Sequence, residues 1–587
     1  MSTPRTTWLL ARMFFSRFFE SELMPGGRPQ VRLIVWGLAI LAAPGFMASF
    51  RIGRIYQTLW RDRPAQLADA VMRDQLLFVT FGMMALGLIA LLVWEGVFPD
   101  RRDVRILGIL PLPARTHVVA RLAALGAVAA LFCVGANLLS AIAFGPTLWS
   151  YGAAPGPLRA IAGHLAATTA GGLFAFYLLI ALQGVLLNVF GRRAAQRLAL
   201  VFQTIFMVVI LQALMLVPSL NAIIRTAFDG GSAWPAIALP PAWFLALYAI
   251  LADTTTAVPT SFAWIAVGAT LTSVGVAVAL IAGSYRRLVR MALETMDGGT
   301  GTRTRVLGRA TLTLARILTP DPVQRAVAGF TLRTIARTRS HLMLLAMTIG
   351  VAIALILSAV TTLIAREGVA ALDTPRLAIV SAPLVLNFLL LAVLRLLIGI
   401  PTELKANWTF RLHASETRLW SAIRGVRSAL LIAVVPPVAC AAGLIGVTLW
   451  GVWTGTMHAV VTAAFGVLLV DVLLIGLRQI PFTCACDPGR SSLPAVWPFW
   501  LSAFAVYSYT LGLLEADMLL TSTSALQIGL AVVVALIAVL TLLRRRMLQP
   551  PPGLTYHAEY SDDLFEGFRL SEGLAAESPA PPVTRRG

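Results

Sequence analysis

Residues 76–98 read LLFVTFGMMALGLIALLVWEGVF, with Glu95 the only charged side chain in the run. At about 1.5 Å of rise per residue, a helix of that length crosses the roughly 30 Å of hydrocarbon in a bilayer. The run is continuously apolar, whereas strands of a membrane β-barrel alternate between lipid-facing and lumen-facing residues, so the barrel alternative is excluded. Runs of the same kind cover residues 31–50, 118–145, 160–190, 198–218 and 260–282, and then 341–364, 377–400, 428–451, 457–478, 495–514 and 526–543. The expected fold is an all-α polytopic membrane protein of about twelve transmembrane helices.

Composition agrees with this reading. The 587 residues are 58% hydrophobic and 13% charged, with a mean hydropathy of +0.81, too apolar for a soluble domain of ordinary composition. The net charge of +20 would fit a nucleic-acid partner only if the basic residues formed one soluble face. Instead they sit in short clusters between apolar runs, where they act as topology signals, so no nucleic-acid partner is expected. Arg101, Arg102, Arg105 and Arg115 follow the second run, Arg192, Arg193 and Arg197 the fourth, and Arg286, Arg287 and Arg290 the sixth. These loops are predicted to be cytoplasmic, with both termini on the same side, in a bacterial inner membrane. The stretch from Pro146 to Pro157 has no basic residue, and Glu515 and Asp517 make the last opposite loop acidic. One loop runs against the rule: Arg51, Arg54, Arg61, Arg63 and Arg73 lie between the first two runs, partly offset by Asp62, Asp69 and Asp74.

The chain divides into two similar halves. Before the first run, Trp8, Leu9, Met13 and Phe14 alternate with Arg5, Arg12 and Arg17 in a helical pattern that suits a helix lying in the headgroup plane. The design returns before the seventh run, where Val323, Val327, Phe330 and Ile335 are set against Arg325, Arg333 and Arg337. Two amphipathic elbow helices, each opening six spans, argue for an internal duplication. The expected organisation is an N-terminal half at 1–293, a Gly-containing polar linker at 294–320, a C-terminal half at 321–546 and a Pro-rich tail at 547–587, read as a disordered cytoplasmic segment.

Catalytic readings find little support. Lys405 is the only lysine and follows Glu403-Leu404, so no G-x-x-x-x-G-K-[ST] phosphate cradle exists. No H-E-x-x-H occurs, and Cys484-Ala-Cys486 lacks a second ligand pair, so no metal site, cofactor or enzymatic activity is expected. The informative elements are two loops at corresponding places in the halves. The first runs from Phe98-Pro-Asp-Arg101-Arg102-Asp103-Val-Arg105 through Ile106, Leu107 and Leu110 to Pro111-Leu-Pro113. The second runs from Ile400-Pro-Thr-Glu403-Leu-Lys405 to Arg411 and beyond. Each begins apolar-Pro and continues as a short mixed helix, which offers charge complementarity and an apolar ridge to a partner. The alternative is an ordinary interfacial loop helix with inward-facing arginines.

Trp94-Glu-x-x-Phe98-Pro-Asp-Arg-Arg-Asp103, followed by Leu110-Pro-Leu-Pro-Ala-Arg115, resembles the coupling-helix region of ABC-2-type exporter permeases. Pro481-Phe-Thr-Cys484 with Pro488-Gly489, and Leu239-Pro-Pro-Ala-Trp-Phe244, resemble segments of large bacterial permeases of this type. The resemblance implies a permease driven by a separate cytoplasmic ABC ATPase that contacts the two loops, with a transported substrate whose identity the sequence leaves open. Most such permeases carry six spans and dimerise, whereas this chain carries both halves. The main rival is a secondary transporter of the major-facilitator type, which would need acids within the spans; Asp471 is almost the only deep one expected, and the family's loop pattern after the second span is missing. A non-transporting membrane scaffold is the third reading.

Within the spans, Arg395 and Asp471 are each expected several residues from the cytoplasmic end, where an ion pair would offset the cost of burying either charge. Snorkelling of Arg395 is the alternative. Pro240, Pro241, Trp243 and Phe244 are expected in an outer-interface hairpin, anchoring it to the headgroups or gating an exit. Asn137, Gln183, Asn188, Gln203, Gln212 and Asn387 are expected to make interhelical hydrogen bonds or to line a path.

Overall fold

The computed structural model describes residues 4–19, 29–99, 104, 106–107, 110–230, 234–254, 258–294, 319, 321–400, 416–475, 477, 481–482, 493–521 and 523–547. Among the described residues every regular element is a helix. Among the described residues eleven helices are long and apolar enough to cross a membrane, and a shorter apolar stretch, Gln527–Leu543, occupies the place expected for a twelfth.

In the first half, the amphipathic helix α1 (Pro4–Phe19) precedes α2 (Pro29–Asp62), α3 (Leu67–Leu92) and α4 (Ala114–Ser150). Helix α5 (Pro157–Met215) is interrupted at Gly191, whose φ of 70° and ψ of 170° leave the helical region. An L side chain is disfavoured at that φ, so glycine permits the break that separates the spans Pro157–Gly191 and Leu198–Met215. Two shorter helices, α6 (Val217–Phe228) and α7 (Pro240–Ala252), then lead to α8 (Thr260–Glu294).

The second half repeats this opening with α9 (Pro322–Arg337), α10 (Arg339–Glu367), α11 (Leu377–Ile398), α12 (Glu416–Trp450) and α13 (Val452–Leu473). Its fifth span combines α14 (Leu493–Ala505), a π-helical turn at Val506–Thr510 and α15 (Leu511–Thr521), and α16 (Thr523–Met547) follows almost directly. Helices like α6 and α7 are therefore present in the first half only, among the described residues.

Successive spans alternate in direction, so the bundle has two ends, called here the elbow end, where α1 and α9 pack, and the far end. At the elbow end Leu10 and Phe14 of α1 join Ala120 and Ala124 of α4 in one buried cluster. There too α9 is fixed to α12, with Gln324 Nε2 donating to Ser428 Oγ at 2.8 Å and Asp321 3.3 Å from Arg424.

Each half has its own apolar core. One centres on Leu86, Leu125, Phe176 and Ile180, the other on Leu391, Leu430, Phe465 and Val470. The halves meet where the second segment of α5 lies along α10. Thr204 Oγ1 donates to the Ala346 carbonyl at 3.2 Å, and Gln212 Nε2 to the Ala354 carbonyl at 2.5 Å. An added Cβ at Gly350 would lie 2.7 Å from Met207 Cβ and 3.1 Å from the Thr204 carbonyl oxygen, so the small residue sets the spacing.

Arg51, Arg54, Arg61 and Arg73 of the loop that ran against the topology rule are helical here, and Arg63 is not. Helix α2 continues to Asp62 and α3 begins at Leu67, which carries exposed Arg51, Arg54 and Arg61 out along the far end. Two of the three acids there are paired: Asp69 with Arg225 of α6, and Asp74 with Arg73 at 3.1 Å.

Candidate functional site

Around the first loop, the structure describes only part of the expected coupling segment; Arg101, Arg102, Asp103 and Arg105 lie outside the described residues, as do Glu403, Lys405 and Arg411 of the second loop and Cys484 and Cys486. Of the apolar ridge, Ile106 is 60% and Leu110 43% exposed, but Leu107 is buried. Leu107 therefore corrects the expected ridge: it packs inward against Leu10, Phe14, Ala120 and Ala124 and anchors the loop to α1 and α4.

Arg121, which the sequence reading passed over, reinforces that anchor. Its guanidinium carbon sits 4.7 Å from the Phe14 ring centroid, and Nη1 reaches the Val97 carbonyl at 3.5 Å. Gln183 Nε2 donates to the Trp94 carbonyl at 2.6 Å, tying the end of α3 to α5. Pro113 then takes the N-cap position of α4, where a missing N–H costs nothing. A cavity of about 170 Å³ remains beneath the loop, lined by Phe14, Leu107, Leu110, His117, Arg121 and Tyr285.

The ion pair expected between Arg395 and Asp471 is corrected. Asp471 is fully buried and is held by Arg427, whose Nε donates to Oδ1 at 2.7 Å and Nη2 to Oδ2 at 2.9 Å. Arg395 Nε instead donates to the Leu473 carbonyl at 3.2 Å. The cause is hairpin geometry: α12 and α13 turn at Gly451 (φ 86°), so positions roughly equidistant from it face each other, and the long Arg427 side chain covers the remaining offset. The sequence reading began the ninth span at 428 and so left Arg427 outside it.

Pro240, Pro241, Trp243 and Phe244 do not form an exposed interfacial anchor. Pro240 and Pro241 open α7 as its first residues, and Phe244 is fully buried. Helix α7 packs inside the first half: an added Cβ at Gly163 would meet Ala252, and one at Gly171 would lie 3.4 Å from Phe244. Phe244 and Trp243 both stack near Phe174, at 5.5 and 5.9 Å between centroids. Thirteen residues reach only about 20 Å, too short to span, so α7 is a helix inserted between longer ones.

Two of the four buried histidines among the described residues make side-chain pairs across helices. His164 in the fourth span of the first half lies 2.9 Å (Nδ1) from the Tyr248 hydroxyl and 3.1 Å (Nε2) from Ser140 Oγ. His458 in the fourth span of the second half lies 2.6 Å (Nδ1) from Glu515 Oε1. The sequence signal was present: His164-x3-Thr168-x3-Gly172 and His458-x3-Thr462-x3-Gly466 share one pattern. Spacing of four places each trio on one helix face, and all six positions are buried. The glycines admit close neighbours, since an added Cβ would lie 3.2 Å from the Gly82 carbonyl oxygen in one half and 3.2 Å from Asn387 Nδ2 in the other.

Glu515 thereby changes role. It was read as an acid of a far-end loop; it lies within α15 and is 0% exposed. Among the described residues no group of three or more His, Cys, Asp or Glu side chains is arranged to hold a metal ion.

The fold and these buried polar groups define the class: an all-α, multi-pass membrane protein. Comparison with family models, characterised proteins and solved structures gives no match to the chain.

Proposed function

We propose that this chain is the membrane-spanning permease subunit of an ABC-type exporter, driven by a separate cytoplasmic ATPase that pushes on the loops after the second and eighth spans. In this reading the elbow end faces the cytoplasm of a bacterial cell, the membrane is the inner one, and the duplicated halves open a path between them. One observation carries it: the first loop is clamped to its surroundings at Leu107, Arg121 and the Trp94 carbonyl while presenting Ile106 and Leu110 to solvent. Force applied at Leu110 would pass into α1, α3, α4 and α5 rather than dissipate in a loose connection. The resemblance of Trp94–Asp103 and Leu110–Arg115 to coupling segments supports the same reading, as does the lack of any phosphate cradle in the sequence. Exposed Arg115, Arg286 and Arg290 at the elbow end support its cytoplasmic orientation.

The ion-driven alternative gains one specific observation, because Glu515 and Asp74 join Asp471 as buried acids among the described residues. It remains second because Asp471 is already neutralised by Arg427.

A photo-crosslinking amino acid at Leu110, in intact membranes, tests the proposal. Capture of a subunit bearing a Walker motif from Leu110, and not from Trp234, which is 75% exposed at the far end, is expected. Crosslinks from Leu110 to lipid alone would overturn it.

A further inference from the structure

The polar groups around Glu515 are more numerous than packing requires, and several have no partner. Glu515 Oε2, the Tyr507 hydroxyl, Asn387 Oδ1 and Thr462 Oγ1 are all buried without a hydrogen bond. Each such orphan costs about 1–3 kcal/mol, which calls for an occupant or a use.

Local structure explains how they converge. The Gly451 turn and the close approach of Gly455 to Val447 bring α12 and α13 together at the far end, which sets Trp450 5.4 Å from His458 between ring centroids. The π-helical turn at Val506–Thr510 carries Tyr507 to within 5.8 Å of Phe388, ring to ring, beside Asn387 on α11. Such wide turns recur at functional sites. Asn387 Nδ2 reaches back to the Thr462 carbonyl at 3.4 Å.

The two histidines of the repeated pattern then differ in one decisive way. His164 meets two hydroxyls, so its ring is served without a formal charge. His458 meets a carboxylate.

We infer that His458 and Glu515 form a buried intramembrane proton-binding site that exchanges with the far end when the surrounding groups move. With the imidazole carrying its own proton at Nε2, the 2.6 Å separation holds a further proton between Nδ1 and Oε1, so that the imidazole and carboxylate together have no net charge. One more proton, taken from water at the far face, forms an O–H bond at the free Oε2 and makes the pair +1; release restores the neutral pair. Net charge in a low-dielectric site is costly, so uptake must be accompanied by hydration or movement of the surrounding groups. Among the described residues, Tyr507 is the other titratable side chain that interacts with Glu515. The far-end halves of α11, α12 and α16 carry no charged residue, Asp517 on α15 is exposed, and Asp373 lies exposed in the nearby turn. Trp450 connects the site to that turn, because its Nε1 donates to the Leu372 carbonyl at 2.9 Å. The site does not depend on which energy source drives the protein.

The test is tryptophan emission of the full-length protein in lipid nanodiscs as pH is varied, with the Trp450 contribution taken as wild type minus Trp450→Phe. A single reversible quenching of that contribution on acidification is expected, lost in Glu515→Gln and in His458→Gln and displaced along the pH axis but retained in Glu515→Asp. No transition in the wild type, or one unchanged in Glu515→Gln, would overturn the site. A transition that moves with sodium or potassium concentration at fixed pH would assign the cluster to a metal cation and overturn it equally. Should the variants fail to fold, infrared spectra of the wild type decide: a buried carboxyl C=O band that grows on acidification and shifts in heavy water supports the inference, and its absence refutes it.

Discussion

Arg427 and Asp471 close a two-point ion pair between α12 and α13, with both carboxylate oxygens engaged at 2.7 and 2.9 Å. Asp471 is fully buried, whereas the Arg427 side chain is 27% exposed. Removing one partner takes the two-point contact from the other charge, and breaking a buried pair costs about 3–5 kcal/mol. Arg427→Ala and Asp471→Ala are therefore each expected to lower the melting temperature in detergent sharply. The exchanged double variant Arg427→Asp with Asp471→Arg should recover part of the loss, and Arg395→Ala should cost less than either. A double exchange no better than its parents would show that the pair does not hold the hairpin.

Gly350 sets the distance between the halves. A Cβ there would meet Met207 at 2.7 Å and the Thr204 carbonyl at 3.1 Å, and overpacking of this kind costs about 1–3 kcal/mol. Gly350→Ala should destabilise modestly and Gly350→Val more, with protection lost first where α5 and α10 meet. Hydrogen exchange of the Ala346 to Ala354 stretch is the measurement; unchanged protection in Gly350→Val would contradict the close packing.

Phe244 and Trp243 are neighbours in sequence with different environments. Phe244 is fully buried and Trp243 half-buried. Deleting a buried phenylalanine side chain costs about 3–5 kcal/mol, so Phe244→Ala should unfold the protein at markedly lower temperature than Trp243→Ala. The reverse order, with Trp243 dominant, would favour interfacial anchoring over core packing.

Asp321 gives a pH dependence whose direction follows from its contacts. The Ser421 hydroxyl foremost, then the Val323 amide and the Arg424 guanidinium, hold its carboxyl below the usual carboxylate range, against the opposing effect of desolvation. A depressed folded-state value means the stabilisation is complete above the ordinary value of about 3.9 and is lost as pH falls through the lower folded-state value. Exchange protection of α9 should accordingly persist through mildly acidic pH and fall only in strong acid, and Asp321→Asn should flatten that acid limb. An acid limb unchanged in Asp321→Asn would remove Asp321 as its cause.

The spans were legible because membrane crossing demands a long apolar run, and a run such as 377–400 corresponds within two residues to α11. Orientation-dependent features were less so. Arg427 was missed because the apolar run begins at 428, whereas the span in the structure begins at Ser421, which puts Arg427 inside it. Phe244 was misplaced because a Pro-Pro-Ala-Trp-Phe segment reads equally well as an interfacial anchor and as the start of a short inserted helix. Glu515 escaped because a single acid near the end of an apolar run looks like loop chemistry until His458 is seen opposite it. The His-x3-Thr-x3-Gly pattern, by contrast, was available in the sequence and supports the duplication more specifically than the shared layout does.

The most direct test is the composition and ATP hydrolysis of the complex extracted from membranes in mild detergent. A second subunit with a Walker motif is expected to co-purify with this chain, hydrolysis to reside in that subunit, and Leu110→Glu to weaken the association. A chain that purifies alone, and that moves cargo in sealed vesicles energised only by an ion gradient, would contradict this expectation.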